Sequence, residues 1–147
     1  MSSSRVKCIG ILTAGGDCPG LNAVIRAVVK TAVQNNIEVV GILDGFLGLV
    51  EKSTKILGSD DVSNILTRGG TILGSSNKDN PFHLIEKNKS GKIIYHDRSK
   101  DIPRNLANLG IETLVVLGGD GSMTVANKLS KMGVRIIGVP KTIDNDL

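Results

Sequence analysis

Three short stretches of this chain carry the residue types that chemistry needs. Gly118-Gly119-Asp120-Gly121-Ser122 follows the aliphatic run Leu114-Val115-Val116-Leu117. Glycines there let the backbone turn tightly and approach a ligand with no side chain in the way. Ser122 is placed to cap a helix beginning near Met123, leaving free N–H groups aimed at the loop. Such a loop suits phosphate, and Asp120 adds a hard oxygen ligand for Mg²⁺. The structural alternative for Asp120 is a solvated turn residue.

Pro140-Lys141-Thr142-Ile143-Asp144-Asn145-Asp146-Leu147 forms the second stretch. In an extended backbone the Asp144 and Asp146 carboxylates face the same way. Close like charges favour proton uptake by one of the pair, which suits a base that takes a hydroxyl proton. Taken alone, Asp144-Asn145-Asp146 reads equally as the start of a turn. Lys141 reads as a surface residue or, beside phosphates, as a point charge. The third stretch, Ala14-Gly15-Gly16-Asp17-Cys18-Pro19-Gly20, fits a structural turn as well as it fits a phosphate cradle.

The elements that position these stretches follow from hydrophobic pattern. Residues 7–13 and 37–43 read as strands around a helix at 21–35, whose Leu21, Val24, Ile25, Val28, Val29 and Ala32 share one face. Strand, helix and strand with short loops make a parallel, right-handed βαβ unit. Residues 112–117 and 134–139 are further strands, with helices at 100–109 and 123–132. Pro103 is tolerated near a first helical turn, and Gly110 closes that helix. Between these, 44–49 reads as a glycine-bearing loop and 59–66 as a short helix with Asp60 and Asp61 in its first turn. Residues 71–73 read as a short extended segment, 74–80 as a polar loop and 82–96 as a surface hairpin insertion.

The pattern predicts an α/β fold: a parallel, Rossmann-like three-layer sheet with helices on both faces. All three chemistry-bearing stretches follow a strand at its carboxyl end. They should therefore converge on one sheet edge, bringing Gly15, Asp120 and Asp144 together with 74–80 close by.

Composition sets the outer bounds. At 147 residues the chain is long enough for one domain with a real core. Aromatics are only 2% against 40% hydrophobic residues, so the core must be Ile, Leu, Val and Ala. The net charge of +4 is dispersed, which suits anionic ligands but not a nucleic-acid footprint, and scarce aromatics argue against base stacking. Cys8 and Cys18 suit neither a disulfide framework nor metal spacing, and point to a reducing cytosol. His83 and His96 read as surface residues. No apolar run nears the ~20 residues of a membrane span and the start carries no signal peptide, so a soluble cytoplasmic protein is expected. Neither G-x-x-x-x-G-K-[ST] nor G-x-G-x-x-G occurs.

Taken together, the blocks resemble the amino-terminal part of the 6-phosphofructokinase family. The resemblance rests on 10–23, on Asp44-Gly45-Phe46-Leu47-Gly48-Leu49, on Arg68-Gly69-Gly70-Thr71-Ile72-Leu73-Gly74-Ser75-Ser76, and on the 118–122 and 140–147 blocks, in the family's order. Gly-Gly-Asp-Gly is shared with NAD and lipid kinases; Thr142-Ile143-Asp144-Asn145-Asp146 is far more specific. The resemblance implies phosphorylation of fructose 6-phosphate at its 1-hydroxyl, giving fructose 1,6-bisphosphate, with ATP or diphosphate as donor and Mg²⁺ as cofactor.

On matching positions, Gly15, Gly16, Gly119, Asp120, Gly121 and Ser122 would hold the donor's phosphates, and Asp120 would position the metal. Asp144 would be the base, with Thr142 beside the transferred group, Asp146 in support and Ile143 on the substrate side. Phe46 would lie by the donor, where many relatives have Tyr. Asn77 stands where many ATP-using members have a basic residue, and Lys78 is its substitute. Gly121 resembles the ATP enzymes and Lys141 the diphosphate users. Gly121 weighs more, because a carboxylate there would obstruct ATP whereas a flexible lysine moves aside. The resemblance also implies a longer protein, a homo-oligomer when full length, whose sugar-phosphate residues follow Leu147. An amino-terminal piece ending there is expected to be inactive alone. The competing readings are a diphosphate-dependent enzyme, an NAD-kinase-like enzyme and a non-catalytic nucleotide-binding module.

Overall fold

The computed structural model describes residues 5–76, 79–87 and 91–142. In chain order its elements are β1 (Cys8–Thr13), α1 (Leu21–Gln34), β2 (Glu38–Ile42), α2 (Phe46–Glu51), β3 (Thr54–Ile56), β4 (Leu84–Lys87), β5 (Ile93–His96), α3 (Asp101–Asn108), β6 (Thr113–Gly118), α4 (Asp120–Lys131) and β7 (Ile136–Pro140). Five strands form one sheet in the order β3-β2-β1-β6-β7. Its β2, β1, β6 and β7 are parallel. β4 and β5 pair antiparallel as a separate two-stranded sheet.

Strands without polar alternation form here because the sheet is covered on both faces. Successive side chains point to opposite sides. Ile11, Val115 and Leu117 pack with Ile25 and Val29 of α1, while Leu12, Leu114 and Val116 pack with Phe46 of α2, Leu106 of α3 and Leu129 of α4. Each such fully buried aliphatic side chain contributes about 1.5–3 kcal/mol. The chain moves from β1 to β2 through α1 on one face, and from β6 to β7 through α4 on the other. Right-handed crossovers in opposite directions require that change of face. It opens a crevice at the carboxyl ends of the strands near β1 and β6.

Four expectations need correction. The sheet is not wholly parallel: β3 runs antiparallel to β2 at one edge. Residues 44–49 are not all loop, because α2 begins at Phe46; this helix has little sequence periodicity and stands on burial of Phe46, Leu49 and Val50. Residues 59–66 form turns rather than a helix. The Asp61 carboxylate accepts the Gly58 N–H at 2.9 Å and pairs with Lys55 at 2.6 Å, while Asn64 takes a left-handed φ of 59°. These local bonds and the left-handed residue break a helical run. Residues 71–73 are a turn, held by side chains described below.

Cys8 on β1 is only 8% exposed, and burial, followed by the neighbouring Glu38 carboxylate, pushes its thiol up to about 11. Thiolate is the reactive form, so this cysteine is protected twice. Cys18 is half-buried in the loop after β1. Alkylation of the folded protein at pH 8 should label Cys18 at least about tenfold faster than Cys8, with the difference vanishing in denaturant. Equal native rates, read by mass spectrometry, would contradict the packing of β1.

Candidate functional site

The loops that leave β1, β6 and β7 lie side by side, because those strands are neighbours. Backbone pairing continues past the strand ends: Ala14 N–H donates to Leu117 C=O at 2.8 Å, and Lys141 N–H to Gly118 C=O at 2.9 Å. Gly15 turns the first loop with a φ of 80°, a conformation that favours glycine. Its N–H donates to Ser76 C=O at 3.1 Å, drawing a fourth segment to the same edge.

Two buried polar residues hold that fourth segment. The Asn22 amide of α1 donates to the Arg68 and Gly69 carbonyls at 3.1 and 3.3 Å and accepts the Ile72 N–H at 2.8 Å. The Thr13 hydroxyl, at the end of β1, donates to Gly74 C=O at 2.7 Å and lies 2.9 Å from the Thr71 hydroxyl. Buried polar groups need such partners, so these two residues hold the 68–76 segment in place.

Between the loops lies a cleft of about 360 Å³. Gly15 and Gly16 line it from the β1 loop, Phe46 from α2, and Ser76, Asp79 and Asn80 from the fourth segment. Gly119, Asp120, Gly121, Ser122 and Val125 line it from the start of α4, and Lys141 from the end of β7. Of the expected trio, Gly15 and Asp120 therefore line one cleft, joined by Lys141 from the end of β7. Asn77, Lys78, Ile143, Asp144 and Asp146 lie outside the described residues.

The start of α4 differs from expectation. The helix begins at Asp120, three residues before Met123, with Gly119 at its N-cap and no side-chain capping bond. Ser122 is not the cap. It sits inside the first turn, buried beneath Gly118, where any side chain would overlap it. Met123 N–H to Gly119 C=O, at 2.9 Å, is the first helical bond. The N–H groups of Asp120, Gly121 and Ser122 precede that bond and have no intrahelical partner. With the positive end of the helix dipole, they make an anion-binding mouth. A Cβ at Gly121 would meet nothing within 4 Å, so this glycine borders open cleft.

Among the described lining residues the charged ones are Asp79, Asp120 and Lys141. Asp120 is exposed and, among the described residues, has no hydrogen bond or ion pair. No group of three or more potential metal-ligating side chains occurs among the described residues. This donor set fits Mg²⁺, which is commonly held by one or two carboxylates together with substrate phosphates and water. The Lys141 ammonium donates to the Gly16 carbonyl, tying the β7 loop to the β1 loop. Beyond Lys141 lies a second hollow of about 240 Å³, lined in part by Leu21, Leu117, Val139 and Thr142.

Sequence reasoning missed Val125, Ser76, Asp79 and Asn80 as individual lining residues. Val125 was detectable as the i+4 neighbour of Gly121 on one helix face. The other three belong to the 74–80 loop, noted only as a block.

Residues 8–147 match the family described as Phosphofructokinase. The ATP-dependent 6-phosphofructokinase 2 of Clostridium perfringens is 54% identical over 143 residues, covering 97% of this chain and 39% of that protein. The ATP-dependent 6-phosphofructokinase of Buchnera aphidicola subsp. Cinara cedri is 49% identical over 142 residues, covering 97% and 41%. Among solved structures, Pichia pastoris phosphofructokinase in the T-state superposes with a TM-score of 0.80 at 31% identity, covering 97% of this chain and 16% of that one. The pyrophosphate-dependent phosphofructokinase of Nitrosospira multiformis gives a TM-score of 0.77 at 19% identity over 97% and 35%, a likeness of fold alone. This chain thus spans about two-fifths of the length of the curated relatives it matches.

Gly118 and Gly121 provide a paired test of the cleft's packing. Gly118→Ala must displace Ser122 and should destabilise the protein by about 1–3 kcal/mol. Gly121→Ala enters open space in a helical first turn and should leave stability within about 0.5 kcal/mol. Urea denaturation midpoints check both, and the reverse order would contradict the described start of α4.

Proposed function

The chain belongs to the phosphofructokinase family, and from that premise we propose that it forms the phosphoryl-donor part of an ATP-dependent 6-phosphofructokinase. The whole enzyme would transfer the terminal phosphoryl group of ATP to the 1-hydroxyl of fructose 6-phosphate, giving fructose 1,6-bisphosphate. The observation that carries this reading is the cleft itself, which the start of α4, with N–H groups that have no intrahelical partner, shares with the Gly15 loop, and where a side chain at Gly121 would meet open space among the described residues.

Phosphoryl transfer depends chiefly on positioning and on neutralising charge. Gly15, Gly16 and the first turn of α4 would hold the donor's phosphates through backbone N–H groups. Asp120 would hold Mg²⁺, which when bound neutralises phosphate charge. Lys141 would add a point charge between the two hollows, beside Asn77 and Lys78 on the donor side. Asp144 would take the proton from the sugar's 1-hydroxyl. Thr142, which lines the second hollow, would stand beside the transferred group, with Ile143 on the substrate side and Asp146 in support. Phe46 and Val125 would offer the nucleoside an apolar surface.

ATP is favoured over diphosphate on physical grounds. A carboxylate at position 121 would occupy and repel at the place where a nucleotide's phosphates must pass, and glycine stands there. Lys141, the opposing signal, lines the cleft with its ammonium donating to the Gly16 carbonyl. The two curated relatives cited above are named as ATP-dependent. The reading includes a cytoplasmic enzyme that is a homo-oligomer when full length. No helix among the described residues is long and apolar enough to cross a membrane.

Assay of the full-length protein with each donor separately should give fructose 6-phosphate phosphorylation with ATP; turnover with diphosphate alone would contradict the donor assignment. Asp144→Asn should lower kcat by about 10²–10⁴-fold, the usual contribution of a positioned base. Near-normal turnover in that variant would remove Asp144 from the chemistry.

A further inference from the structure

The lining of the cleft extends beyond its glycines. Its glycines cluster at the first turn of α4, yet Val125, Asp79 and Asn80 line it as well. The 79–82 segment runs beside the helix: the Lys128 ammonium lies 5.3 Å from the centre of the Phe82 ring, a cation–π contact. Lys128 is eight residues beyond Asp120, or about 12 Å along the axis. At its other end the segment follows Ser76, whose carbonyl accepts the Gly15 N–H at 3.1 Å. In the chain, Asp79 and Asn80 therefore fall between a residue tied to the glycine loop and one tied to a later turn of α4.

This segment is braced. The Asn80 side-chain oxygen accepts the Phe82 N–H at 3.0 Å, its carbonyl accepts the His83 N–H at 2.9 Å, and Pro81 C=O accepts the Arg98 N–H at 2.8 Å. Asp79 itself is half-buried. Among the described residues it has no hydrogen bond and no ion pair. A half-buried carboxylate on the cleft wall keeps acceptor sites that a ligand's donors can take in place of water.

We propose that Asp79 is a specificity-determining residue for the donor, its carboxylate accepting hydrogen bonds from the ribose hydroxyls of a nucleoside triphosphate. The proposal rests on the donor reading above. A diphosphate would fill only the glycine end of the cleft. A nucleoside triphosphate fills both ends, with its sugar and base beyond the glycines, over Phe46 and Val125. Hydroxyls donating to a carboxylate make short, charge-assisted bonds, and an acidic residue on ribose is a recurrent arrangement at nucleotide sites.

The test uses the full-length enzyme, with ATP, 2′-deoxy-ATP and 3′-deoxy-ATP as donors. In the unaltered protein, loss of the contacted hydroxyl should raise the donor KM about tenfold. Asp79→Ala should raise the KM for ATP about tenfold and reduce discrimination against that deoxynucleotide to under about twofold. Asp79→Asn, nearly the same size and still an acceptor, should lie between the two. The KM for fructose 6-phosphate should stay level. A merely structural role would raise KM for all three nucleotides and leave their ratios intact. Undiminished discrimination in Asp79→Ala, no discrimination in the unaltered protein, or a loss relieved by added Mg²⁺ would each overturn the proposal. Turnover with diphosphate and none with ATP would instead sink the donor reading on which it rests.

Discussion

The backbone ladder of β1, β6 and β7 runs past the strands and into the loops, and the cleft depends on that extension. Ala14 is bonded to Leu117 and Lys141 to Gly118, so each loop starts at a height fixed by the sheet. The register is in turn held by packing on both faces. Sliding β6 by one residue would turn Val115 and Leu117 toward the side that receives Leu114 and Val116, exchanging two sets of buried contacts. Core packing several residues away thus determines where Gly119 and Asp120 stand relative to Gly15.

A second constraint brings distant sequence to the same edge. Thr13 and Asn22 are buried polar residues whose bonding capacity is spent on the 68–74 turn. That turn delivers Ser76 to Gly15, and the chain then continues along α4 with Asp79 and Asn80. Among the described lining residues Lys141 is the one cation, and its ammonium donates to the Gly16 carbonyl. The free N–H groups at the start of α4 suit an anion, and the exposed Asp120 suits a ligand that arrives with a cation.

Legibility in the sequence followed burial. β1 and β6 were readable because strands covered on both faces carry unbroken apolar runs, with threonine only at one end of each (Thr13, Thr113), and α1 because its apolar residues keep helical spacing. Their carboxyl-end loops then located Gly15, Gly119 and Asp120 by topology alone. β3 was missed because it is a short edge strand whose Ile56 is 65% exposed, leaving no pattern to read. The start of α4 was misplaced because Ser122 looks like a cap in sequence, whereas in space it fills the room left by Gly118. The 59–66 stretch looked helical for its acidic first turn, but its Asp61 is committed to Lys55 and Gly58. Asp79 gave no individual signal as a cleft residue, because the sequence marks only its loop and its place on the cleft wall exists only in the folded chain.

A crystal structure of the full-length protein with Mg²⁺ and a non-hydrolysable ATP analogue tests the central claim most directly. The account predicts phosphates between the Gly15 loop and the N–H groups of Asp120, Gly121 and Ser122, with the nucleoside over Phe46 and Val125. Nucleotide bound away from the start of α4, with the glycine loops making no phosphate contact, would contradict it.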